Sequence, residues 1–178
     1  MYLTTQEPVK SYLPVIDGTE FAAWIGFLRL HTTLVRDLDA ELRAAHGLPL
    51  TSFEVMNWLA YAPGRRIRMS VLADSVLLSL SGITRLVERL ERDGLVMREP
   101  SAEDRRGAYA ILTEAGFARL CQAQVTHAAG VRRRYLDPLT LEQVESLSIL
   151  WRQLQAAQTD QRIPLSDLRG EVAEAPDE

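Results

Sequence analysis

Residues 79–107 read SLSGITRLVERLERDGLVMREPSAEDRRG. Within them Ile83, Leu86, Val87 and Leu90 fall at i, i+3, i+4 and i+7, the spacing that gives a helix one buried face. Ser81, Arg85, Glu88 and Arg92 centre on the opposite face, with Thr84 and Arg89 at its edges. Ser79 is an N-cap residue type and Gly94 a natural stop. Leu95–Glu99 and Ala108–Leu112 then flank the loop 100–107 as two strands of a hairpin. The order is helix, strand, arginine-bearing loop, strand.

Working outward, the spacing of Phe21, Trp24, Ile25, Leu28, Val35, Leu38 and Leu42 predicts a long amphipathic helix over 19–46, stopped by Gly47. Thr51 and Glu54 form a candidate capping box, with Leu50 and Val55 as a hydrophobic staple, for a helix ending near Pro63-Gly64. Arg66-Ile67-Arg68 fits a brief strand, and Ser70 is expected to cap a short helix from Val71 to about Val76. After the hairpin, Thr113 is expected to cap a helix running to about Arg134, broken by Asp137-Pro138. Thr140-Leu-Glu-Gln is a second capping box, opening a helix whose Leu141, Val144, Leu147, Leu150 and Trp151 share a stripe.

The chain thus divides into three segments. Residues 1–18 are expected to form an irregular N-terminal arm. Residues 19–160 form one domain, with a lobe over 48–112 between long helices at 19–47 and 113–160. Residues 161–178 are acidic and aperiodic and are expected to form a flexible tail. No run of apolar residues is long enough for a membrane span, and the N-terminus lacks a basic stretch followed by an apolar one, so the expected location is cytoplasmic. One cysteine, Cys121, excludes an intramolecular disulfide framework, and it is expected on a packed face as an inert thiol.

The net charge of −4 is unevenly distributed. Between Arg65 and Arg106 nine arginines stand against seven acids, whereas from Asp160 onward six acids stand against two arginines. The tail's four-charge deficit equals the net charge of the whole chain, so a locally basic surface remains available. No nucleophile–base pair, carboxylate cluster or glycine-rich phosphate loop appears in a recognisable arrangement, and an enzyme is not expected. His31, His46 and His127 have no metal-ligand spacing; neither a metal nor a cofactor is expected.

The element order of 79–107 matches the reading half of a winged helix-turn-helix, in which one helix enters the major groove and a hairpin reaches alongside. Ser81 and Gly82 are small enough to let the helix start approach base edges; Thr84 offers a methyl or a hydroxyl, Arg85 a guanine-matching fork, and Arg89 a phosphate contact. Taken alone, the same residues also describe the solvated face of an ordinary surface helix. The flanks favour the first reading. Ser70-Val-Leu-Ala-Asp, Leu78-Ser-Leu-Ser-Gly-Ile-Thr-Arg, Asp104-Arg-Arg-Gly and Leu112-Thr-Glu-Ala-Gly116 together resemble the MarR (multiple-antibiotic-resistance regulator) family from about Phe21 to Gln158. Val76 stands where that family usually has leucine.

The resemblance implies a mainly α fold with a small β-hairpin wing, a winged helix-turn-helix carried on long N- and C-terminal dimerisation helices. It implies a homodimeric, sequence-specific regulator of transcription, expected to repress, bound to double-stranded DNA at a pseudo-palindromic operator. Ser79, Ser81, Gly82, Thr84, Arg85 and Arg89 would form the recognition surface. Asp104 would orient Arg106 in the minor groove, where a narrow groove concentrates negative potential, and Arg105 and Arg98 would contact phosphates. A small aromatic or anionic ligand would enter between the dimer helices and the DNA-binding lobe, near Trp24, Leu28, His31, Trp58 and Tyr61, residues that serve equally well as core. The competing reading is a winged-helix protein-interaction module without DNA reading, in which outward Arg85, Arg89 and Arg106 need not be kept; their presence argues against it.

Overall fold

The first long helix, α1, spans Gly18–His46 in the computed structural model, which describes residues 17–101 and 107–157. Asp17 opens it: its carboxylate accepts the N–H groups of Thr19 (2.8 Å) and Glu20 (3.0 Å), and the Glu20 carboxylate accepts the Asp17 N–H at 3.0 Å. The expected arm thus gives up Asp17 and Gly18 to a capping box; residues 1–16 lie outside the described residues, as do 158–178. Gly47, at φ 61°, ends the helix as expected.

Helix α2 runs Leu50–Tyr61 and begins before its expected cap. Thr51 sits inside the first turn, and the cap position belongs to Pro49, which has no side-chain acceptor. The missing acceptor comes from another element: Asp39 of α1 takes the Leu50 N–H at 2.8 Å, while the Pro49 carbonyl takes those of Ser52 and Phe53 at 3.0 Å each. Strand β1 (Arg66–Arg68) leads directly into α3 (Met69–Ser75). Ser70 is therefore a helical residue and not the cap, because the buried Met69 already pins the first turn. Helix α4 (Leu80–Arg92), β2 (Val96–Pro100) and β3 (Ala108–Leu112) lie where the spacing predicts them.

The strands pair antiparallel in the order β1-β3-β2, with Ile67 opposite Ala110 and Val96 opposite Leu112. Those four residues turn to the helices and join a single core around Leu42, Met56, Leu59, Leu72, Ile83 and Leu90. Burying each such aliphatic side chain contributes about 1.5–3 kcal/mol, which is what holds α4 against α3 and β2.

Helix α5 spans Glu114–Val131. Thr113 caps it as expected, accepting the Gly116 N–H at 2.9 Å. The same hydroxyl reaches back to the carbonyls of Gly94 (2.8 Å) and Leu95 (3.1 Å), seating α5 on the start of β2. The expected α-helix to Arg134 changes character at Arg132: residues Arg132–Leu136 form a π-helical turn, with the Asp137 N–H bonding the Arg132 carbonyl at 2.8 Å. The wider turn lets Arg133 and Arg134 both meet Glu41 of α1. The Arg134 hydrogen bond holds the Glu41 carboxyl below its ordinary range, and the charge of Arg133 adds to it. On α5, Leu120 and Ala123 are buried but Cys121 is exposed, which overturns the packed-thiol expectation: one helical step from Leu120 turns its side chain away from the core.

Helix α6 spans Leu141–Ala157 behind the expected capping box, in which Thr140 N–H donates to Gln143 at 2.9 Å and Thr140 Oγ1 accepts from Gln143 N–H at 3.3 Å. Its stripe is only partly covered. Leu141 and Leu150 are exposed, while Trp151 meets Phe27 at 5.7 Å between ring centroids and donates to the Tyr135 hydroxyl at 3.1 Å. Among the described residues, no single helix is long and apolar enough to cross a membrane.

Candidate nucleic-acid interface

Helix α4 is built to show one face. Ile83, Leu86, Val87 and Leu90 are buried, and Ser81, Arg85, Glu88, Arg89 and Arg92 are exposed. Ser79 caps it, accepting the Gly82 N–H at 3.1 Å, and its hydroxyl lies 3.1 Å from that of Ser81. The first turn therefore presents two hydroxyls and a glycine without a bulky polar group. The Thr84 hydroxyl donates to the Leu80 carbonyl at 2.7 Å, leaving its methyl as the uncommitted branch.

The arginines divide into held and free. Arg65 lies 3.8 Å over the Phe117 ring and pairs with Glu114 at 2.8 Å; Arg66 lies 3.4 Å over Tyr109 and pairs with Glu99 at 2.8 Å. Arg89, expected at a phosphate, donates to the buried Ser52 hydroxyl at 3.2 Å and ties the end of α4 to the start of α2. Arg98, also expected at a phosphate, is likewise engaged within the chain. It pairs with Glu91 at 2.8 Å and Glu88 at 3.5 Å, and its own backbone N–H reaches Glu91 at 3.3 Å. Both arginines project outward on a pattern drawn from one element, but their partners stand on neighbouring ones. Arg85 differs: it has no hydrogen bond or ion pair among the described residues. Asp104, Arg105 and Arg106 of the wing loop lie outside the described residues.

Sequence spacing missed two members of this surface. Leu80 continues the i, i+3 series of the buried stripe, yet it is 58% exposed because the first turn of α4 overhangs the core. Leu77, in the turn before it, is 68% exposed at φ 57°.

Of the expected ligand-pocket residues, Trp24, Leu28 and His31 stand on α1, and Trp58 and Tyr61 on α2. Trp24, His31 and Tyr61 are exposed, and Leu28 and Trp58 are half-buried. Phe27, unread in the sequence, joins them at 6.1 Å from Trp24 and 6.0 Å from His31. Glu54 of α2, though open on one side to solvent, is desolvated enough to push its carboxyl up, an effect nearby His31 opposes. An open cleft of about 620 Å³ lies elsewhere, lined by Arg43, His46, Ser52, Arg89, Asp93 and Arg119 among others.

A sequence profile of the MarR family matches residues 46–107, which span α2 through the wing loop. The HTH-type transcriptional regulator MhqR of Bacillus subtilis (strain 168) is 33% identical over 100 residues, 56% of this chain and 67% of that one. Among solved structures, Sco3205 of Streptomyces coelicolor, a MarR family transcriptional regulator in complex with DNA, superposes with a TM-score of 0.77 at 32% identity, covering 85% of this chain and 95% of its own. AbsC, a MarR family transcriptional regulator of the same organism, superposes with a TM-score of 0.75 at 31% identity, covering 82% and 97%. With a winged-helix lobe between long flanking helices, an arginine left free on the exposed helix, and identity above 30% along nearly the whole of such relatives, this chain belongs to the MarR family of DNA-binding transcriptional regulators.

Proposed function

We propose that the protein is a homodimeric repressor that occupies a pseudo-palindromic operator, and that it turns over no substrate. The observation that carries this reading is the first half of α4: a Ser79-capped, small-residue turn followed by Arg85, exposed and without a partner among the described residues. Beside a small-residue helix start, such an arginine favours base contact over a protein-interaction module. Ser79, Ser81, Gly82, Thr84 and Arg85 enter the major groove, and Arg106, oriented by Asp104 and flanked by Arg105, enters the minor groove. Arg89 and Arg98 act as braces between elements.

Self-association is supported by α1 and α6, where Phe21, Trp24, Phe27, Leu30, Ile149 and Leu154 are each 42% to 53% exposed in the single chain. Such a band of large apolar side chains is more than a monomer leaves in water. A second copy covering it also completes the Trp24–Phe27–His31 seam, with Leu28, Trp58 and Tyr61, as a site for a small aromatic or anionic effector. The effector releases DNA by favouring a dimer with differently spaced recognition helices.

Selection of bound duplexes from a random DNA library, with the solution mass measured alongside, tests the core of this reading. The expected result is a dimer enriching inverted repeats whose half-site centres lie one helical turn apart, about 10–10.5 base pairs. A monomer that enriches no sequence sinks it.

The brace assigned to Arg98 makes a separate prediction. Arg98→Gln is expected to weaken operator binding no more than about twofold and to leave the slope of log affinity against log salt unchanged, measured by fluorescence anisotropy across a salt series. A phosphate contact would instead reduce that slope by about one. An exposed pair of this kind contributes only about 0–1 kcal/mol to folding, so the melting temperature should scarcely move.

A further inference from the structure

Helices α3 and α4 end in the same device, and α1 ends in a wider version of it. In each, a residue just past the helix takes the left-handed conformation, and two backbone N–H groups turn back to the last carbonyls. After α1 the left-handed residue is Gly47, with Leu48 N–H bonding the Leu42 carbonyl; after α4 it is Gly94, with Leu95 N–H bonding that of Leu90. After α3 it is Leu77, at φ 57°, with its own N–H on the Asp74 carbonyl at 3.3 Å and Leu78 N–H on the Ala73 carbonyl at 3.0 Å. Leucine is strained in a conformation that glycine adopts freely, and the other two positions have glycine. No burial offsets the strain, since the side chain is 68% exposed. Three residues on, at the first position of α4, Leu80 is 58% exposed as well. Thr84, one turn further on the same side, has its hydroxyl turned in to the Leu80 carbonyl, which leaves a methyl group beside Leu80.

Two leucines left in water, one of them in a strained conformation, flank the Ser79 cap of the recognition helix. We propose that Leu77 and Leu80 form an apolar lip that packs on thymine in the major groove, with Leu80 and the Thr84 methyl reading the 5-methyl group in each half-site. This rests on the DNA-reading role of α4 and adds to it a base and an atom. Of the groups in the major groove, the thymine methyl is the one suited to an aliphatic side chain. The hydrogen-bonding residues beside the lip cannot distinguish thymine from uracil, because the two bases differ only in that methyl.

That difference supplies the test. In the selected operator, each thymine is replaced in turn by deoxyuridine and the affinity of the full chain is measured. For the wild type, one thymine per half-site should show a loss of about fourfold for its methyl, and about fifteenfold when both half-sites are changed. Leu80→Ser should bind the thymine site more weakly and show almost no further loss with uracil. Leu77→Gly should melt at or above the wild-type temperature, its strain relieved, yet bind the thymine site several-fold more weakly. Stability and affinity moving in opposite directions is not what a purely structural leucine produces.

A wild type indifferent to uracil at every position overturns the proposal, as does a Leu80→Ser variant that keeps the full uracil loss. Leu77→Gly with unchanged affinity removes Leu77 from the lip and overturns the paired reading. Failure of the wild type to select any DNA is a different result: it overturns the role of α4 itself.

Discussion

Gly116→Ala is expected to cost the fold about 3 kcal/mol and to lower its melting temperature by roughly 10 °C. A Cβ at this position would stand 2.0 Å from the Leu95 carbonyl oxygen, 2.9 Å from its carbon and 2.8 Å from Leu112 Cδ1. Backbone atoms cannot swing aside as a side-chain end does. The Leu95 carbonyl is further fixed because it accepts both the Thr113 N–H and the Thr113 hydroxyl, each at 3.1 Å. Relief therefore requires α5 to lift off β2, which breaks the Thr113 bonds that seat it. Alanine's better helix propensity returns at most about 1 kcal/mol, too little to compensate. A thermal melt followed by circular dichroism checks this, and a variant melting within 2 °C of wild type would show that the α5–β2 contact is looser than described. DNA affinity should fall too, since the wing strand and the long helix share this joint.

Much of this architecture is legible in the sequence because its signals are local. Ser79, Thr113 and Thr140 cap helices through bonds to a residue three positions on, and each is readable from its residue type and its near neighbours in the chain. The stripe of Ile83, Leu86, Val87 and Leu90 is likewise contained in one helix. The misreadings share the opposite property. Thr51 has the residue type and spacing to cap α2, but the acceptor is Asp39, eleven positions upstream of Leu50 on another helix. The π-helical turn after Val131 brings Arg133 and Arg134 to Glu41, some ninety residues earlier, a meeting that no local signal announces.

At the candidate site the same division holds. The outward direction of Arg89 and Arg98 follows from helix and strand periods, whereas their capture by Ser52, Glu88 and Glu91 follows from how α2, α4 and β2 pack. Leu77 is hidden for a different reason. Local preference disfavours leucine in the left-handed conformation, so a reading based on preference passes over it. Leu80 is hidden by periodicity, which assigns it to a core that its turn overhangs.

Arg85→Ala should cost about 1–3 kcal/mol of discrimination at one base pair in each half-site, roughly a factor of 5 to 150, without lowering the melting temperature. The reasoning begins from what the other arginines do. Arg65 and Arg66 are stacked on aromatic rings and paired, Arg98 is paired, Arg89 holds Ser52, and Arg92 Nε lies 3.4 Å from the Glu88 carbonyl. Removing any of these disturbs an internal contact as well as any external one. Arg85 has none to disturb among the described residues, so in the proposed role its guanidinium would meet DNA without first giving up a partner. It comes after a turn of Ser81 and Gly82 that allows close approach, and its planar fork matches the N7 and O6 acceptors of guanine. Lysine keeps the charge but not the fork, so Arg85→Lys should retain general affinity while failing to restore the base preference. Binding is measured against the selected operator and against versions altered at one base pair at a time. The wild type should prefer guanine at one position where Arg85→Ala is indifferent. A loss spread evenly over all sequences, with the salt slope reduced by about one, would instead make Arg85 a phosphate contact and move the reading of bases to Ser81 and the apolar edge beside it.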